Sequence, residues 1–266
     1  MALSIPAVSS ANTALADFYR TVAAPWLLEF LRGRQLFTRR AGGNGWQPVP
    51  GPGRPEELKG ELGALALQGL HELRVGNSPL GFSSKPDWLA LALLPGGGRN
   101  WKLFAAAEAT QALLDELGFE FMWKVSGKGG LHVLVPIQAR QGFGAVLDFA
   151  QLLAELIAAR VPEAAVTHAV KPTSRVRIDV SANRRGQLLV APFSARAGSP
   201  WKISLPLPWS KLQETLLQTG AAPEFDLTVA KNNAAESGRL LRRIMARSND
   251  LEAGFITLEQ RLQFAR

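Results

Sequence analysis

The feature that most constrains this chain is a run of eight residues without a charge, Trp88-Leu89-Ala90-Leu91-Ala92-Leu93-Leu94-Pro95. Lys85-Pro86-Asp87 punctuates the chain before it, and Gly96, Gly97 and Gly98 stop it. The run has the length of a buried strand and falls far short of the roughly 18–20 apolar residues a membrane span requires. A central strand over Trp88–Leu94 is therefore expected, with the other elements arranged around it.

Those elements are legible from periodicity and punctuation. Residues 11–32 read as one amphipathic helix, with Leu15, Phe18, Tyr19, Val22, Trp26, Leu27 and Phe30 at helical spacing and Gly33 as its stop. Arg39-Arg40 leads into a Gly/Pro-rich loop at 41–55, and residues 56–70 suit a short helix. Residues 104–117 are helical, with Gly118 as the cap. Strands are predicted over 119–124 and 131–136, and a helix over 143–160. A strand pair is predicted over 175–180 and 187–192, joined by Asn183-Arg184-Arg185-Gly186. Helices follow at 209–219 and 235–247. This order predicts an α/β (α+β) fold with a mixed, largely antiparallel sheet flanked by helices. One domain over 1–266 is expected, with an N-terminal helical and loop part (1–85), a sheet core (86–212) and a C-terminal helical tail (213–266).

Zero cysteines exclude disulfides, thiol catalysis and cysteine-ligated metals, and His71, His132 and His168 are too scattered to suggest a histidine metal site. The N-terminus shows no basic-then-apolar signal, so a cytoplasmic, nucleoid-associated protein without membrane contact is expected. The net charge is +8. Its placement is informative: Lys171, Arg175, Arg177, Arg184, Arg185, Arg196, Lys202 and Lys211 share one window with a single acid, Asp179. A merely solvated surface usually mixes the two signs, so this window points to phosphate recognition.

Three segments carry possible chemistry. The first is Lys124-Val125-Ser126-Gly127-Lys128-Gly129-Gly130-Leu131-His132. Its glycines let backbone N–H groups approach a ligand, and its serine, lysines and histidine can donate to phosphate oxygens. It lacks the glycine spacing and closing Lys-Ser/Thr of a Walker A loop, and taken alone it also fits an ordinary hairpin. The second is Arg175-Val176-Arg177-Ile178-Asp179-Val180, whose alternation puts the valines and isoleucine inward and Arg175, Arg177 and Asp179 on the other face. Asp179 there suits either an ion-pair network or a metal ligand. The third is Phe193-Ser194-Ala195-Arg196, followed by Pro206-Leu207-Pro208-Trp209, where Arg196 suits bidentate phosphate contact and the Pro/Trp segment suits packing.

In this order the segments resemble the polymerase (primase-like) domain of bacterial ligase D, in the archaeo-eukaryotic primase superfamily. That family shows a Lys-x-Ser-Gly…Gly-Leu-His loop, a strand ending Asp-x-x-x-Asn, a Tyr/Phe-Ser-x-Arg motif and a Pro-Leu-x-Trp segment. The matching residues here are Lys124 to His132, Asp179 and Asn183, Phe193 to Arg196, and Pro206 to Trp209. Tyr19-Arg20, Pro25-Trp26-Leu27-Leu28 and Leu31-Arg32-Gly33-Arg34 resemble the opening helix, and Pro86-Asp87 the approach to the first catalytic strand. The likeness covers roughly residues 12–230.

The resemblance implies a primase-polymerase core that adds nucleotides at DNA ends during non-homologous end joining, with Ku and a ligase as partners. It implies two divalent ions, Mg2+ or Mn2+, held by three aspartates and a bound nucleoside triphosphate. It implies nucleotide-phosphate contacts at Lys124, Ser126, Lys128, His132, Arg196 and Arg74, the last standing where the family has a histidine. DNA contacts are expected at Arg39, Arg40, Arg175, Arg177, Arg184 and Arg185. The departure lies in the first catalytic strand: where the family reads Asp-x-Asp-Pro, this chain reads Ala92-Leu93-Leu94-Pro95. Asp179 alone remains of the three carboxylates, enough for a single weakly held ion, and two ions about 3.5–4 Å apart need several anionic oxygens. No cofactor is firmly expected. The leading expectation is a stand-alone, catalytically degenerate relative that binds DNA ends, through their 5′-phosphate, or nucleotide phosphates. The alternatives are an active nucleotidyltransferase with ligands drawn from elsewhere, such as Asp87 or Glu72, and a scaffold that docks Ku or a ligase through residues 235–247 and 255–264.

Overall fold

The computed structural model describes residues 10–31, 34–40, 45–49, 55–76, 78, 85–97, 101–167, 173–196 and 200–264. The first amphipathic segment forms two helices, α1 (Ser10–Phe18) and α2 (Ala24–Leu31), joined by a π-helical turn at Tyr19–Ala23. A π turn inserts one extra residue per turn and so rotates one apolar stripe relative to the next. Here Leu15, Phe18, Tyr19, Leu27 and Phe30 are all buried across the join. The segment around Arg39 is a strand, β1 (Leu36–Arg40), and the predicted loop holds a short strand, β2 (Gln47–Pro48). After α3 (Pro55–Leu67) comes β3 (Leu70–Val75), antiparallel to β1.

The predicted central strand forms as β4 (Trp88–Leu94), followed by α4 (Trp101–Glu116), β5 (Met122–Val125), β6 (Leu131–Pro136) and α5 (Phe143–Arg160). Then come β7 (Ala165–Val166), β8 (Val176–Asp179) and β9 (Leu189–Val190). The short strands β10 (Ala195–Arg196), β11 (Lys202–Ile203) and β12 (Pro206–Leu207) lead to α6 (Trp209–Thr219), α7 (Leu227–Met245) and α8 (Leu251–Phe264). Six strands form the main sheet in the order β12-β5-β6-β4-β8-β7, with only the β7–β8 pair parallel. A second sheet runs β2-β1-β3-β9. The mixed, mainly antiparallel α/β architecture expected from the sequence is what forms. Leu89, Leu91 and Leu93 of β4 are fully buried, and burying each contributes roughly 1.5–3 kcal/mol.

One pairing differs from expectation. The segments 175–180 and 187–192 do not form a hairpin: β8 pairs with β4 and β7, and β9 pairs with β3 in the second sheet. Both edges of β8 are thus taken, and the chain leaves it through a 3-10 turn at Ser181–Asn183. Asn183 is fully buried there. Its Oδ1 accepts from the Ala90 N–H at 2.9 Å, and its Nδ2 donates to the Ala90 carbonyl at 2.7 Å. The amide therefore continues the ladder to β4 after the β8 backbone has turned away.

Of the C-terminal helices, α7 packs on α2 and the β12 edge of the main sheet, α6 on α4 and α8 on α5. α7 begins earlier than the sequence suggests because the Asp226 side chain caps it, accepting from the Val229 N–H at 2.9 Å. Leu241, Ile244, Leu251 and Leu258 are buried, and Phe255 meets Phe149 edge-on with centroids 4.5 Å apart. The apolar residues Leu241, Ile244 and Leu258 of the segment weighed as a docking element are thus turned inward, and its arginines Arg239, Arg242 and Arg243 outward. Among the described residues no helix is long and apolar enough to cross a membrane.

Replacing Asn183 with alanine strands both polar groups of Ala90 in the interior. We expect a loss of about 3 kcal/mol, measured by urea denaturation, with an unchanged far-ultraviolet spectrum.

Candidate functional site

The site is set by register. On β4, Ala92 lies opposite His132 of β6 on one side and opposite Asp179 of β8 on the other. Lys124 of β5 lies opposite His132, and Leu94 opposite Arg177. Directly paired residues share a sheet face. One row across four strands therefore reads Lys124, His132, Ala92, Asp179. A cavity of about 320 Å³ opens over it, lined by Ala92, Leu94, His132 and Asp179 together with Arg74, Ser126, Lys128, Ser181 and Arg196.

The glycine-rich turn forms one wall. Ser126 donates its N–H to the Gly130 carbonyl at 2.8 Å, and its hydroxyl oxygen accepts from the N–H groups of Lys128 at 3.1 Å and Gly130 at 3.0 Å. Gly127 adopts a φ of +71°, in the left-handed region, and a Cβ there would come within 2.7 Å of the Arg196 side chain. Glycine thus lets the guanidinium fold over the turn, where Arg196 Nη1 donates to the Ser126 carbonyl at 3.0 Å.

Arg196 is delivered by a strained corner. Phe193 is buried with a φ of +63°, the one positive φ outside glycine among the described residues. Ser194 Oγ accepts from the Leu73 N–H at 2.8 Å, and the Tyr19 hydroxyl accepts from the Ala195 N–H at 2.9 Å. Burial, the largest influence on Tyr19, pushes its pKa up and keeps it neutral.

Beneath the cavity lies Glu72, fully buried on β3. Its carboxylate pairs with Arg74 at 2.8 Å, Arg39 at 3.2 Å and Arg196 at 3.5 Å. Burial favours its protonated form, but the guanidiniums of Arg196, Arg74 and Arg39 outweigh that and hold the carboxyl below its usual range. Arg39 and Arg74 also clamp the Trp46 ring, each about 4.5 Å from its centroid (4.6 and 4.5 Å). The residue pattern offers Glu72 only as an alternative metal ligand and gives no sign of Trp46, which lies within the predicted loop.

Not every expected site residue reaches the cavity. Lys124 shares the face but does not line the cavity; it is wholly buried, with Nζ donating to Ser204 Oγ at 2.6 Å. Burial, then Arg196 and Arg74, push its pKa well below the lysine range. Lys124 thus does not line the cavity, and its ammonium group is engaged by Ser204. His132 is 7% exposed, and its Nδ1 has no hydrogen-bond partner among the described residues. Burial, then Lys124, Arg196 and Arg74, push it well below the usual histidine range. The arginines expected to touch DNA divide. Arg177 and Arg184 line a neighbouring cavity of about 310 Å³ that shares Asp179 and Ser181 with the first. Arg175 donates to the Pro162 carbonyl at 3.3 Å, and Arg185 lies over the Phe143 ring at 6.0 Å, so neither lines either cavity. Arg39 is held by Glu72 behind Arg74. The Arg40 side chain, Lys171 and His168 lie outside the described residues.

The donor set does not match the two ions the resemblance implies. Asp179 is the sole carboxylate lining the cavity among the described residues, and both of its oxygens are engaged. Oδ2 accepts from Arg177 Nη1 at 3.0 Å and Oδ1 from the Ser181 N–H at 2.8 Å. Burial would raise its pKa, but the bonds from Ser181 and the charge of Arg177 hold it below the usual range. Asp87 pairs with the buried Arg34 before β4 begins, and Glu72 is held by arginines. No group of three acidic or histidine side chains among the described residues is placed to hold a metal. These residues do not fit a pair of divalent cations.

Residues 57–240 match the family model described as LigD, primase-polymerase domain. The chain belongs to that family. The multifunctional non-homologous end joining protein LigD of Pseudomonas aeruginosa is 33% identical over 168 residues, which make up 60% of this chain and 20% of that protein. The bifunctional non-homologous end joining protein LigD of Bacillus subtilis is 25% identical over 114 residues, 42% of this chain and 19% of that protein. The chain thus spans about a fifth of the length of these curated relatives. The polymerase domain of Mycobacterium tuberculosis ligase D, solved in complex with DNA, superposes with a TM-score of 0.73 at 19% identity, covering 90% of this chain and 93% of that one. The fold is shared. Within this LigD primase-polymerase frame, the aliphatic pair Ala92 and Leu94 stands beside Asp179.

On acidification, Glu72, Asp179 and His132 act with one sign. Glu72 and Asp179 have folded pKa values below their unfolded ones, so the stability they contribute is present above the unfolded carboxylate pKa. It is lost as pH falls through the folded value. His132, depressed below 6.5, resists protonation in the fold, so acidification below that value also destabilises. We expect the melting temperature to fall steadily from about pH 7 to about pH 4, with His132→Gln removing the earliest part of the decline. Calorimetric melting across that range checks it.

Proposed function

We propose that this LigD-family protein is a phosphate-binding, non-polymerising relative that engages DNA ends or nucleotide phosphates in non-homologous end joining. The observation that carries the reading is the cavity over β4. Arg74, Lys128, Arg196 and His132 line it, against one carboxylate that is already paired. Cationic donors around a concave site favour phosphate oxygens, and Arg74 and Arg196 arrive pre-oriented by Glu72. Polymerisation needs a second ion to activate a primer hydroxyl, and no donors for it converge on Asp179 among the described residues.

The end-joining setting rests on the relatives from Pseudomonas aeruginosa and Bacillus subtilis, both of them non-homologous end joining proteins. The DNA ligand is favoured by the structural neighbour, a polymerase domain solved with DNA bound, and by the cationic lining of the β4 cavity. Ku and a ligase are the partners this setting brings. Extension by ligands drawn from elsewhere loses its two named candidates, since Asp87 and Glu72 are held by arginines away from Asp179.

Two measurements test this. A 5′-phosphorylated recessed duplex is expected to shift in electrophoresis at low salt. Arg74→Ala should weaken that binding by about tenfold, and Lys128→Ala should lower the salt slope by about one. Primer extension with Mn2+ and ribonucleotides is expected to give no product. Clear product abolished by Asp179→Ala would replace this reading with an active enzyme, and absence of any shift would remove DNA binding.

A further inference from the structure

We infer that the β4 cavity takes phosphate groups in their metal-free form, so that divalent cations weaken binding instead of supporting it. The inference rests on the phosphate-binding reading above and adds the ionic form of the ligand.

The physical basis is charge placement. A site that receives a metal–phosphate complex must supply anionic oxygens for the metal and cations for the phosphates. Here the first half is missing. The positions beside Asp179 on β4 carry a methyl and an isobutyl group, and Asp179 itself already has a cation, the Arg177 guanidinium 3.0 Å away. Arg177 thus occupies the electrostatic place of an ion and makes Asp179 nearly neutral towards a ligand. The second half is in excess. Arg74 and Arg196 share the single buried charge of Glu72, which also holds Arg39. Three guanidiniums around one carboxylate leave a net positive charge under the cavity. Lys124 and His132 lie close enough to feel it, being disfavoured as cations by Arg196 and Arg74 as well as by burial.

An incoming phosphate reverses that penalty, because its charge compensates the guanidiniums of Arg74 and Arg196, both of which line the cavity. A magnesium-complexed phosphate brings less negative charge, and its metal finds no free carboxylate. The uncomplexed anion is therefore the better ligand. Both nucleotide triphosphates and DNA 5′-phosphates offer that chemistry.

The test is calorimetric titration of the intact chain with inorganic triphosphate, with ATP and with a 5′-phosphorylated recessed duplex, each in EDTA and in excess Mg2+. A 5′-hydroxyl duplex is the control that separates the DNA end from the free phosphate chain. Binding of triphosphate or of the 5′-phosphate in EDTA, weakened by Mg2+, is the expected result. Binding that requires Mg2+ or tightens with it overturns the inference and leaves phosphate binding standing. No binding of any phosphate ligand in either buffer defeats the parent reading itself. A second arm uses A92D/L94D, expected to lose about tenfold or more of triphosphate affinity in EDTA and to regain it with Mn2+. Unchanged affinity of a folded A92D/L94D protein in EDTA also overturns the inference, and should that variant not fold, the wild-type titrations decide.

Discussion

Glu72 is the charge around which the candidate site is organised. Its carboxylate is fully buried, and it holds Arg39, Arg74 and Arg196. These arginines come from three separate strands: β1, β3 and β10. A buried carboxylate without partners is strongly unfavourable, and buried guanidiniums without an acid are equally so. Each therefore fixes the other. The second sheet, which pairs β1 with β3 and β3 with β9, puts the carboxylate where β10 can meet it. The main sheet puts Ser126 where Arg196 can reach its carbonyl. The cavity lies where the two sheets face each other through this cluster.

The register of β4 is the second determinant, and it depends on groups far from the cavity in sequence. Asn183 holds Ala90 by both of its polar groups, so β4 cannot slide relative to β8 without breaking buried hydrogen bonds. A slip of one residue would turn Leu93 into the cavity and Ala92 into the core. The same clamp that ends the β8 pairing thus fixes which side chains stand beside Asp179. Tyr19 does the comparable task for Arg196, tying the backbone of Ala195 to the π-helical turn of the N-terminal segment.

Much of this is legible in the residues, because β4, α5 and the glycine-rich turn are specified locally. The uncharged run at 88–95 and the period of residues 143–160 each point to one structure, and both form with nearly the expected bounds. The segment 175–192 misleads because Asn183-Arg184-Arg185-Gly186 has the composition of a tight turn, while the competing partner of β9, β3, lies over a hundred residues earlier. Lys124 shows a related limit of local reading. Its motif marks it as a donor, and only tertiary packing shows Ser204 closing above it. Trp46 carries no local signal, and Glu72 is legible only as a possible metal ligand, since its role as an arginine anchor depends on Arg39 and Arg196 from other segments.

The aliphatic pair on β4 also has a consequence for folding. Three carboxylates converging on one sheet face repel one another unless a cation is present, so a site of that type is destabilised whenever it is empty. With Ala92 and Leu94 in two of the places, the remaining Asp179 is satisfied by Arg177 and the Ser181 N–H without any ion. The one carboxylate of the face among the described residues is thus satisfied by groups of the same chain. The unbalanced charge has the opposite sign and lies on the opposite wall, where Arg74 and Arg196 outnumber the acid that holds them. A face built of three acids calls for cations; this one, with a single paired acid and guanidiniums in excess, has the charge balance that the proposed anion would complete.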